Sequence, residues 1–279
     1  MDPEAFVLAN RLVGNPDGAA GLECTLMGPR IEFTDERVVA ITGANMSPVL
    51  NGAATPMWQA ARVHAGDVLK LGPARAGVRA YIAIAGGVET PPALGSRSTY
   101  VRGQLGGVGG RALRTGDVLP LGPATTTALG RVRADCVPDY SAEPEIAVVL
   151  GPQDDRFTAA GIAALLGGPY EMTPQSDRMG ARLRGAVIEH ARGHDIISDG
   201  VPLGGIQVVG DGQPIVLLVD RQSTGGYTKI ATVCSFDIGR IGQVKPGQRL
   251  GFRRVDVGQA HAELRARRAR RAAAIEPVV

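Results

Sequence analysis

The chain has 279 residues and a formal net charge of +3; 44% of its residues are hydrophobic and 4% are aromatic. This composition favours one large or two modest globular domains with an aliphatic core, rather than a disordered chain. The one basic run, at residues 265–271, has no interleaved aromatic side chains, which argues against a nucleic-acid-binding surface.

Cysteine usage and hydropathy exclude further classes of protein. The three cysteines are widely spaced and form no C-x-x-C motif, which argues against a disulfide framework or a zinc site. Glu189, His190 and His194 could share a helix face, but Gly193 weakens that helix and no further ligand is evident, so no metal is predicted. The sequence shows no signal peptide and no apolar run of 18 residues, so a cytoplasmic protein is expected.

The N-terminal half is predicted to begin with a helix and to continue with strands. Asp2 suits the N-cap of that helix and Pro3 its first position. Residues 22–27 predict a strand, and residues 31–33 with 38–42 predict a hairpin.

A turn-and-strand pattern occurs at residues 64–73, again at 114–123, and more loosely at 246–252. Each copy is a Gly-polar turn that leads into a short strand, which suggests a β-barrel built from similar corners. Residues 103–110 form a glycine-rich loop. It is interpreted as a plain flexible loop, with phosphate binding through backbone N–H groups as the alternative, because the chain contains no P-loop motif.

A predicted linker at residues 131–143 divides the chain into two parts. They are an N-terminal β subdomain, residues 1–135, and a C-terminal β subdomain with a terminal helix, residues 136–279. A short helix is predicted near residues 158–166, and the Ala- and Arg-rich composition from residue 258 onward predicts the final helix.

The stretch at residues 220–227 is the strongest candidate for a site. It follows a short apolar run at 215–219, which predicts a buried strand, and it brings polar side chains and paired glycines to the end of that strand. A polar turn without function is the alternative interpretation.

Arginine and glutamine residues of the C-terminal half suggest what such a site could bind. Arginine makes planar, bidentate contacts to carboxylate or phosphate, and the candidates are Arg156, Arg178 and Arg182. Side-chain amides can recognise an amide or ureide, and the candidates are Gln153, Gln207 and Gln222. Solvation of the protein surface is the alternative role for any one of these arginines.

Eight short motifs follow one another along nearly the whole chain, at residues 10–15, 43–44, 86–87 with 95–99, 151–153, 176–180, 197–200, 205–207 and 220–227. Each is weak alone. In this order they resemble the allophanate hydrolase subunit 2 family, also called the KipA-type family, the biotin-dependent-carboxyltransferase-like family or the family of the 5-oxoprolinase C-type subunit.

The resemblance implies a mostly β fold: a cyclophilin-like β-barrel architecture with a few short helices and two β subdomains. It implies a hydrolase subunit that is not autonomous and that takes part in the ATP-dependent opening of 5-oxoproline to glutamate. The implied partners are a subunit 1 (KipI-type) protein and a third 5-oxoprolinase subunit. The chain lacks a Ser-Ser-Lys amidase signature, so hydrolysis of allophanate by this chain alone is not expected.

Roles follow from residue type. Arg178, Gln222 and Tyr227 are predicted to be catalytic and to line one cleft, with Tyr227 as a wall or proton relay. The predicted substrate-binding residues are Arg156, Arg182, Gln153, Gln207, Ser98, Thr99, Gly225 and Gly226.

Two other functions stay open. A carboxyltransferase-like module related to urea carboxylase would use carboxybiotin, but the sequence has no biotin-accepting Ala-Met-Lys-Met motif and no attached ATP-grasp domain. A regulatory antagonist of a KipI-type kinase inhibitor is the third possibility.

Two expectations concern the ends and the surface of the chain. Family members carry roughly two dozen residues before the equivalent of Met1, so a truncated or misplaced start is expected, with an unpaired sheet edge. A stable complex with subunit 1 is also expected. Its interface should exceed about 1,000 Å², be apolar at its centre, lie near the active cleft and include residues 103–110.

Overall fold

The computed structural model describes residues 1–124, 129–140 and 143–278. The chain forms two compact units. The first, here called the sheet unit, comprises Pro3–Pro138 and Arg271–Val279, and the second, the barrel unit, comprises Met1–Asp2 and Asp139–Arg270. Each chain terminus therefore belongs to the unit that the opposite half of the chain builds, which a sequence division at 135/136 does not anticipate. Ser141 and Ala142 of the predicted linker lie outside the described residues.

The elements are given in chain order. The helices are α1 (Pro3–Leu12), α2 (Ala159–Gly167), α3 (Ile238–Ile241) and α4 (Val257–Ala272). The strands are β1 (Leu22–Thr25), β2 (Arg30–Glu32), β3 (Arg37–Asn45), β4 (Val49–Leu50), β5 (Ala53–Ala54), β6 (Ala60–Val63), β7 (Val68–Lys70), β8 (Ala76–Ile84), β9 (Gly130–Val132), β10 (Glu145–Leu150), β11 (Tyr170–Met172), β12 (Gly180–Arg184), β13 (Asp195–Gly200), β14 (Gly205–Val208), β15 (Pro214–Leu217), β16 (Thr224–Tyr227), β17 (Lys229–Val233), β18 (Arg249–Arg254) and β19 (Ile275–Pro277). The predicted mostly β fold with few helices is confirmed. None of these helices is both long and apolar enough to cross a membrane.

The sheet unit is built from two four-stranded sheets, ordered β1-β8-β3-β6 and β2-β7-β4-β5, and a β19-β9 pair. Helix α1 packs against β3 and β8, where the hydroxyl of Thr42 donates a 2.7 Å hydrogen bond to the carbonyl of Ala5. Apolar side chains of both larger sheets form one aliphatic core, which includes Ile41, Leu69 and Ile82.

The predicted hairpin of residues 31–33 and 38–42 is wrong. Strand β2 pairs with β7, and β3 pairs with β6 and β8 instead. Strand β3 is buried along nearly its whole length, so it needs a neighbour on each side, and these come from distant sequence.

The three copies of the turn-and-strand pattern differ in structure. The copy at 64–73 gives β7, the copy at 246–252 leads into β18, and the copy at 114–123 forms no strand.

In the barrel unit, seven strands close into a barrel with the order β10-β17-β14-β15-β12-β11-β18. All neighbouring pairs are antiparallel except β10 and β18, which are parallel. The interior is filled with side chains such as Ile146, Ile206 and Val216, which are fully buried, so the barrel has a packed core. The remaining strands β13 and β16 form a separate two-stranded ribbon.

A fully buried carboxylate connects α4 to the barrel. Asp237 accepts a 2.8 Å hydrogen bond from the backbone N–H of Ala147 on β10. It also forms ion pairs of 3.1 Å with Arg240 and with Arg267 of α4. The Arg267 guanidinium lies 4.5 Å from the centre of the Phe236 ring. These contacts fix an otherwise exposed, arginine-rich helix to the barrel wall.

Candidate functional site

The outer face of four neighbouring barrel strands carries a row of side chains in register. Ile206 and Val208 of β14 lie in the barrel core, so Gln207 between them points to the outer face. The pairing registers place one residue of each neighbouring strand beside it, and the row is Arg182 on β12, Ile215 on β15, Gln207 on β14 and Lys229 on β17. At about 4.8 Å per strand, Arg182 lies about 10 Å from Gln207 along this row.

A β-bulge brings Lys229 into the row. Ile206 pairs with Ala231, but the next residue, Gln207, pairs with Lys229, so Ile230 is an extra residue on β17. Ile230 and Ala231 both belong to the barrel core. Lys229 is thereby directed to the same outer face as Gln207.

Lys229 is a fully buried lysine that is held by a carboxylate. Its side chain has no solvent exposure, and its ammonium Nζ lies 3.2 Å from Oδ2 of Asp199, a residue of the ribbon strand β13 whose side chain is 54% exposed. The hydrogen bond from Lys229, followed by one from the backbone N–H of Gly200, holds the pKa of Asp199 below its usual value of 3.8. At neutral pH the two groups therefore form an ion pair at the edge of the covered region.

Gln153 connects both members of this pair. Its backbone N–H donates to the Lys229 carbonyl at 3.1 Å, and its side-chain Oε1 accepts from the Lys229 backbone N–H at 3.0 Å. Its Nε2 donates to Oδ2 of Asp199 at 3.4 Å. The predicted substrate-binding Gln153 thus positions the lysine–carboxylate pair in this structure.

Gly225 of β16 lies over this region because it has no side chain. A Cβ at Gly225 would lie 2.7 Å from Nε2 of Gln207 and 3.5 Å from Nε2 of Gln222. The fold thus brings three predicted residues, Gln207, Gln222 and Gly225, to one place. Gly226 lies next along the same strand, near the Ile196 carbonyl.

The predicted catalytic residues Arg178 and Tyr227 lie at other points around the ribbon. The Nε of Arg178 forms a 2.9 Å ion pair with Asp220, two residues before Gln222. Tyr227 is at the far end of β16 from Gln222, and its ring centre is 6.1 Å from that of His194. Whether Arg178, Gln222 and Tyr227 line one cleft stays a prediction.

The other predicted residues are placed as follows. Arg182 is exposed on the outer-face row, and half-buried Arg156 has no ion-pair partner among the described residues. Ser98 and Thr99 belong to the sheet unit, in an irregular segment that precedes the glycine-rich loop. A role for either of them in substrate binding remains a prediction.

Two functional candidates, Lys229 and Asp199, were missed by the sequence reasoning. The available signal was the rarity of lysine, because only three of the 30 basic residues are lysines, and Lys229 directly precedes an apolar run. Its burial could not be foreseen, since it depends on the bulge in β17 and on the ribbon that covers it.

A group of aromatic and histidine rings lies beside the ribbon. His190 packs 4.7 Å from Phe157 and 6.1 Å from His194, measured between ring centres. Its Nε2 is buried and makes no hydrogen bond within the described part of the chain. Burial lowers the pKa of His190 below 6.5, a hydrogen bond to the Val208 backbone opposes that shift, and the charge of His194 adds to it.

We expect the free energy of unfolding to fall on acidification because of His190. The unfolded chain takes up a proton near the ordinary pKa of 6.5, whereas the folded chain resists protonation. The stabilising contribution is therefore complete above 6.5 and is lost as the pH falls through the lower folded pKa. Urea denaturation at about pH 7.5 and about pH 5.5 measures this change, and the free energy of unfolding should decline less between the two pH values in His190→Gln than in the parent protein. His261→Gln, on exposed α4, should leave the decline unchanged; an equal change in both variants would contradict the assignment.

The sequence of this chain is similar to a known family of domains and to two bacterial proteins. A family model described as carboxyltransferase domain, subdomain A and B, matches residues 1–254. The C-type subunit of 5-oxoprolinase from Escherichia coli K12 is 36% identical over 254 residues, which are 90% of this chain and 80% of that protein. The corresponding 5-oxoprolinase protein of Haemophilus influenzae is 31% identical over 276 residues, which are 95% of this chain and 84% of that protein.

A larger enzyme contains the same fold. The crystal structure of the K. lactis urea amidolyase superposes with a TM-score of 0.92 at 32% sequence identity. The match covers 97% of this chain but 18% of that one. The chain therefore spans most of the two bacterial proteins and a small part of the urea amidolyase.

Proposed function

The chain belongs to the carboxyltransferase domain family with subdomains A and B, which includes the C-type subunit of 5-oxoprolinase, and from this premise we propose that it is one subunit of an ATP-dependent 5-oxoprolinase. Such a complex opens the lactam 5-oxoproline to glutamate. The observation that carries the proposal is the buried Lys229–Asp199 pair beside the Gln207 and Gln222 amides, in a chain whose relatives of similar length are named for this activity.

The site suits the chemistry of lactam opening. A lactam carbonyl must be activated before water can open the ring, and charge develops on its oxygen as the reaction proceeds. N–H donors fixed in a covered, weakly polar region stabilise such charge far better than water does. The Lys229 ammonium and the Gln207 amide are donors of this kind, and Gln153 and Asp199 hold the lysine in place.

ATP, when bound to the complex, supplies the phosphoryl group that activates the carbonyl oxygen. Two glycines of the loop at 103–110 pack closely against backbone, since a Cβ at Gly106 would meet the Ser98 carbonyl and one at Gly110 the Gln104 backbone, and the Gly110 N–H donates to the Gly106 carbonyl at 2.8 Å. These contacts favour a structural role for the loop over phosphate binding, so we propose that another subunit binds ATP.

The protein partner is proposed to be the subunit 1 (KipI-type) chain, and a third subunit would then complete the enzyme. Residues 94–118 of the sheet unit support this proposal, because they expose several large apolar side chains, including Leu94 at 93% and Val118 at 85%. Their loop contains residues 103–110, the predicted contact. Size-exclusion chromatography should show this chain co-eluting with subunit 1; two separate peaks at micromolar concentration would contradict the proposal.

Reconstitution tests the activity. The chain mixed with its partner subunits, ATP and 5-oxoproline should release glutamate and ADP together, and omission of this chain should stop both. Turnover by this chain alone, or by the partners without it, would overturn the proposal.

A carboxyltransferase function is the second candidate, favoured by the close superposition on the K. lactis urea amidolyase. Biotin, when carried on another protein, would supply the carboxyl group to be transferred. This alternative predicts saturable binding of a biotinylated carrier protein, which the 5-oxoprolinase proposal does not require. A regulatory role against a KipI-type inhibitor predicts neither release of glutamate by the reconstituted complex nor saturable binding of the carrier protein.

Arg178→Ala and Tyr227→Phe should each lower turnover of the reconstituted complex about tenfold or more. The first removes the ion pair that holds Asp220 and the segment leading to Gln222, and the second removes a hydroxyl while keeping the ring beside His194. Both variants should lose less than about 1 kcal/mol of stability, because the replaced groups are partly exposed.

The matched control for Arg178→Ala is Arg184→Ala on the same barrel unit, where an exposed arginine pairs with Glu171 at 2.9 Å. It should retain full turnover. Parent-like turnover by both Arg178→Ala and Tyr227→Phe would remove these two residues from the site.

A further inference from the structure

Helix α4 carries the whole positive excess of the chain. The chain has 30 basic and 27 acidic residues, and α4 contributes five of the arginines and one glutamate. The rest of the chain therefore has 25 basic and 26 acidic residues. The helix also begins at Val257, beyond the matched family domain, which ends at residue 254. Its charge is thus a feature that the family match does not account for.

The barrel unit neutralises the inner side of this helix. Arg267 forms ion pairs with Asp237 at 3.1 Å and with Glu263 at 2.8 Å. Glu263 in turn pairs with Arg253 of β18 at 2.6 Å. Because Asp237 is fully buried, these contacts hold α4 in one orientation on the barrel wall. The side chains on the outer side of α4 are therefore presented on a fixed support.

The outer side of α4 carries three exposed arginines that lack a counter-charge, namely Arg265, Arg268 and Arg270. None of them forms an ion pair within the part of the chain that the structure describes, and the seven remaining residues include no Asp or Glu. Arg265 and Arg268 are neighbours on the helix surface, with about 5–6 Å between their Cβ atoms, so their charges repel each other. Carboxylates of another molecule would relieve this repulsion.

We propose that the outer side of α4 binds an acidic helix of a partner protein through Arg265, Arg268 and Arg270. Guanidinium groups bind carboxylates in planar, bidentate pairs, and arginine clusters recognise acidic segments in this way. Because Arg265 and Arg268 are three residues apart, two carboxylates at the same spacing on a second helix can meet both of them. With about 3.6 residues per turn, Arg270 lies on the opposite flank of the exposed side and holds the partner from there.

This surface is distinct from the one offered to subunit 1. It belongs to the barrel unit, whereas residues 94–118 belong to the sheet unit. The inference goes beyond the proposed function and does not depend on the 5-oxoprolinase assignment.

Composition favours an acidic protein over other anionic partners. Helix α4 contains no Phe, Tyr or Trp on which a base could stack, and the rest of the chain has no basic excess with which to follow a phosphate backbone. Helices that lie on membranes bury a face of large apolar side chains, but among the described residues of α4 only Val257 exposes one. A second copy of this chain would present the same positive helix, and the two would repel each other.

The test is an NMR titration of the full-length chain with an alanine-rich helical peptide that carries glutamates three and four residues apart along one side. The backbone ¹⁵N signals of α4 and the Nε signals of the three arginines should shift with saturation. The matched peptide with glutamine in place of each glutamate should leave them unchanged. Raising the NaCl concentration from about 50 to about 200 mM should weaken binding severalfold. Equal shifts with both peptides, or none with the glutamate peptide, would overturn the inference.

Charge reversal locates the binding surface. The double variant Arg265→Glu with Arg268→Glu should weaken binding of the glutamate peptide at least tenfold. The control, Arg184→Glu with Arg249→Glu, changes the net charge equally at two exposed arginines on strands of the same unit, and it should weaken binding less than twofold. Because all four side chains are exposed, circular dichroism should show the parent fold in both variants. Equal binding by the two double variants would place the peptide elsewhere and refute the assignment to α4.

A short DNA duplex and phosphatidylserine vesicles separate the acidic protein from other polyanions. At about 150 mM NaCl, the parent chain should bind neither more tightly than it binds the glutamate peptide. Tighter binding of either one that is lost in Arg265→Glu with Arg268→Glu would show that α4 serves a nucleic acid or a membrane instead, and would overturn the choice of partner.

Discussion

Replacing Lys229 by methionine should lower turnover of the reconstituted complex by about a hundredfold or more, while the chain stays folded. Loss of one fixed donor to a developing oxyanion has an effect of about 10²–10³ on turnover. Methionine is similar in length and apolar, so it suits a fully buried position, and Asp199 is exposed enough to stay solvated after the lysine is removed. The effect should therefore appear in kcat, and the denaturation midpoint should be equal to that of the parent or higher.

Steady-state kinetics with 5-oxoproline and ATP, together with urea denaturation of the isolated chain, measures both quantities. Lys70→Met provides the matched control, since it makes the same chemical change at an exposed site in β7. Turnover close to that of the parent would exclude Lys229 from the reaction.

The largest stability effect is expected for Asp237→Ala, at about 2–3 kcal/mol of unfolding free energy. The carboxylate is fully buried, accepts from the Ala147 N–H and is paired with Arg240 and Arg267. Its removal leaves the Ala147 N–H without its acceptor and takes one counter-charge from two half-buried guanidinium groups, of which Arg267 keeps Glu263 at 2.8 Å. The unpaired buried N–H and the lost charge-assisted hydrogen bonds both lower the unfolding free energy.

Denaturant titration followed by circular dichroism would measure this loss. Asp237→Asn should be intermediate, because an amide oxygen can still accept from Ala147. The exposed pair of Arg133 and Asp135 supplies the control, and Asp135→Ala should cost less than about 1 kcal/mol. A loss below about 1 kcal/mol in Asp237→Ala as well would show that the buried pair does not stabilise the barrel unit.

The elements that the sequence predicted well are those determined by local signals. Helix α1 has a proline at its first position, and α2 has Thr158 as an N-cap whose side chain accepts from Gly161. The apolar run before residue 220 forms strand β15 as expected. These features depend on residues within one or two turns of each other.

The strand partners that were predicted wrongly are those that pair with residues distant in the sequence. Strand β2 could not be assigned to β7, because their pairing joins residues such as Ile31 and Leu69, which are separated in sequence by strands β3 to β6. The candidate site shows the same difference between what residue type predicts and what only the folded chain reveals. Residue type alone suggested Gln207 and Gln222 as amide-recognising groups, whereas Lys229 became a candidate only when burial by the ribbon was known.

The bulge in β17 decides which face of the strand Lys229 occupies. If β17 paired with β14 without the bulge, Ile230 would lie opposite Gln207 and Lys229 opposite Val208, so Lys229 would point into the aliphatic core, where an ammonium is strongly disfavoured. A one-residue deletion at position 230 would remove the bulge but leave Lys229 directly before Ala231, so alternation would still direct it to the outer face opposite Gln207. The position of Lys229 therefore tolerates loss of the bulge residue, but not a slip of β17 by one residue against β14.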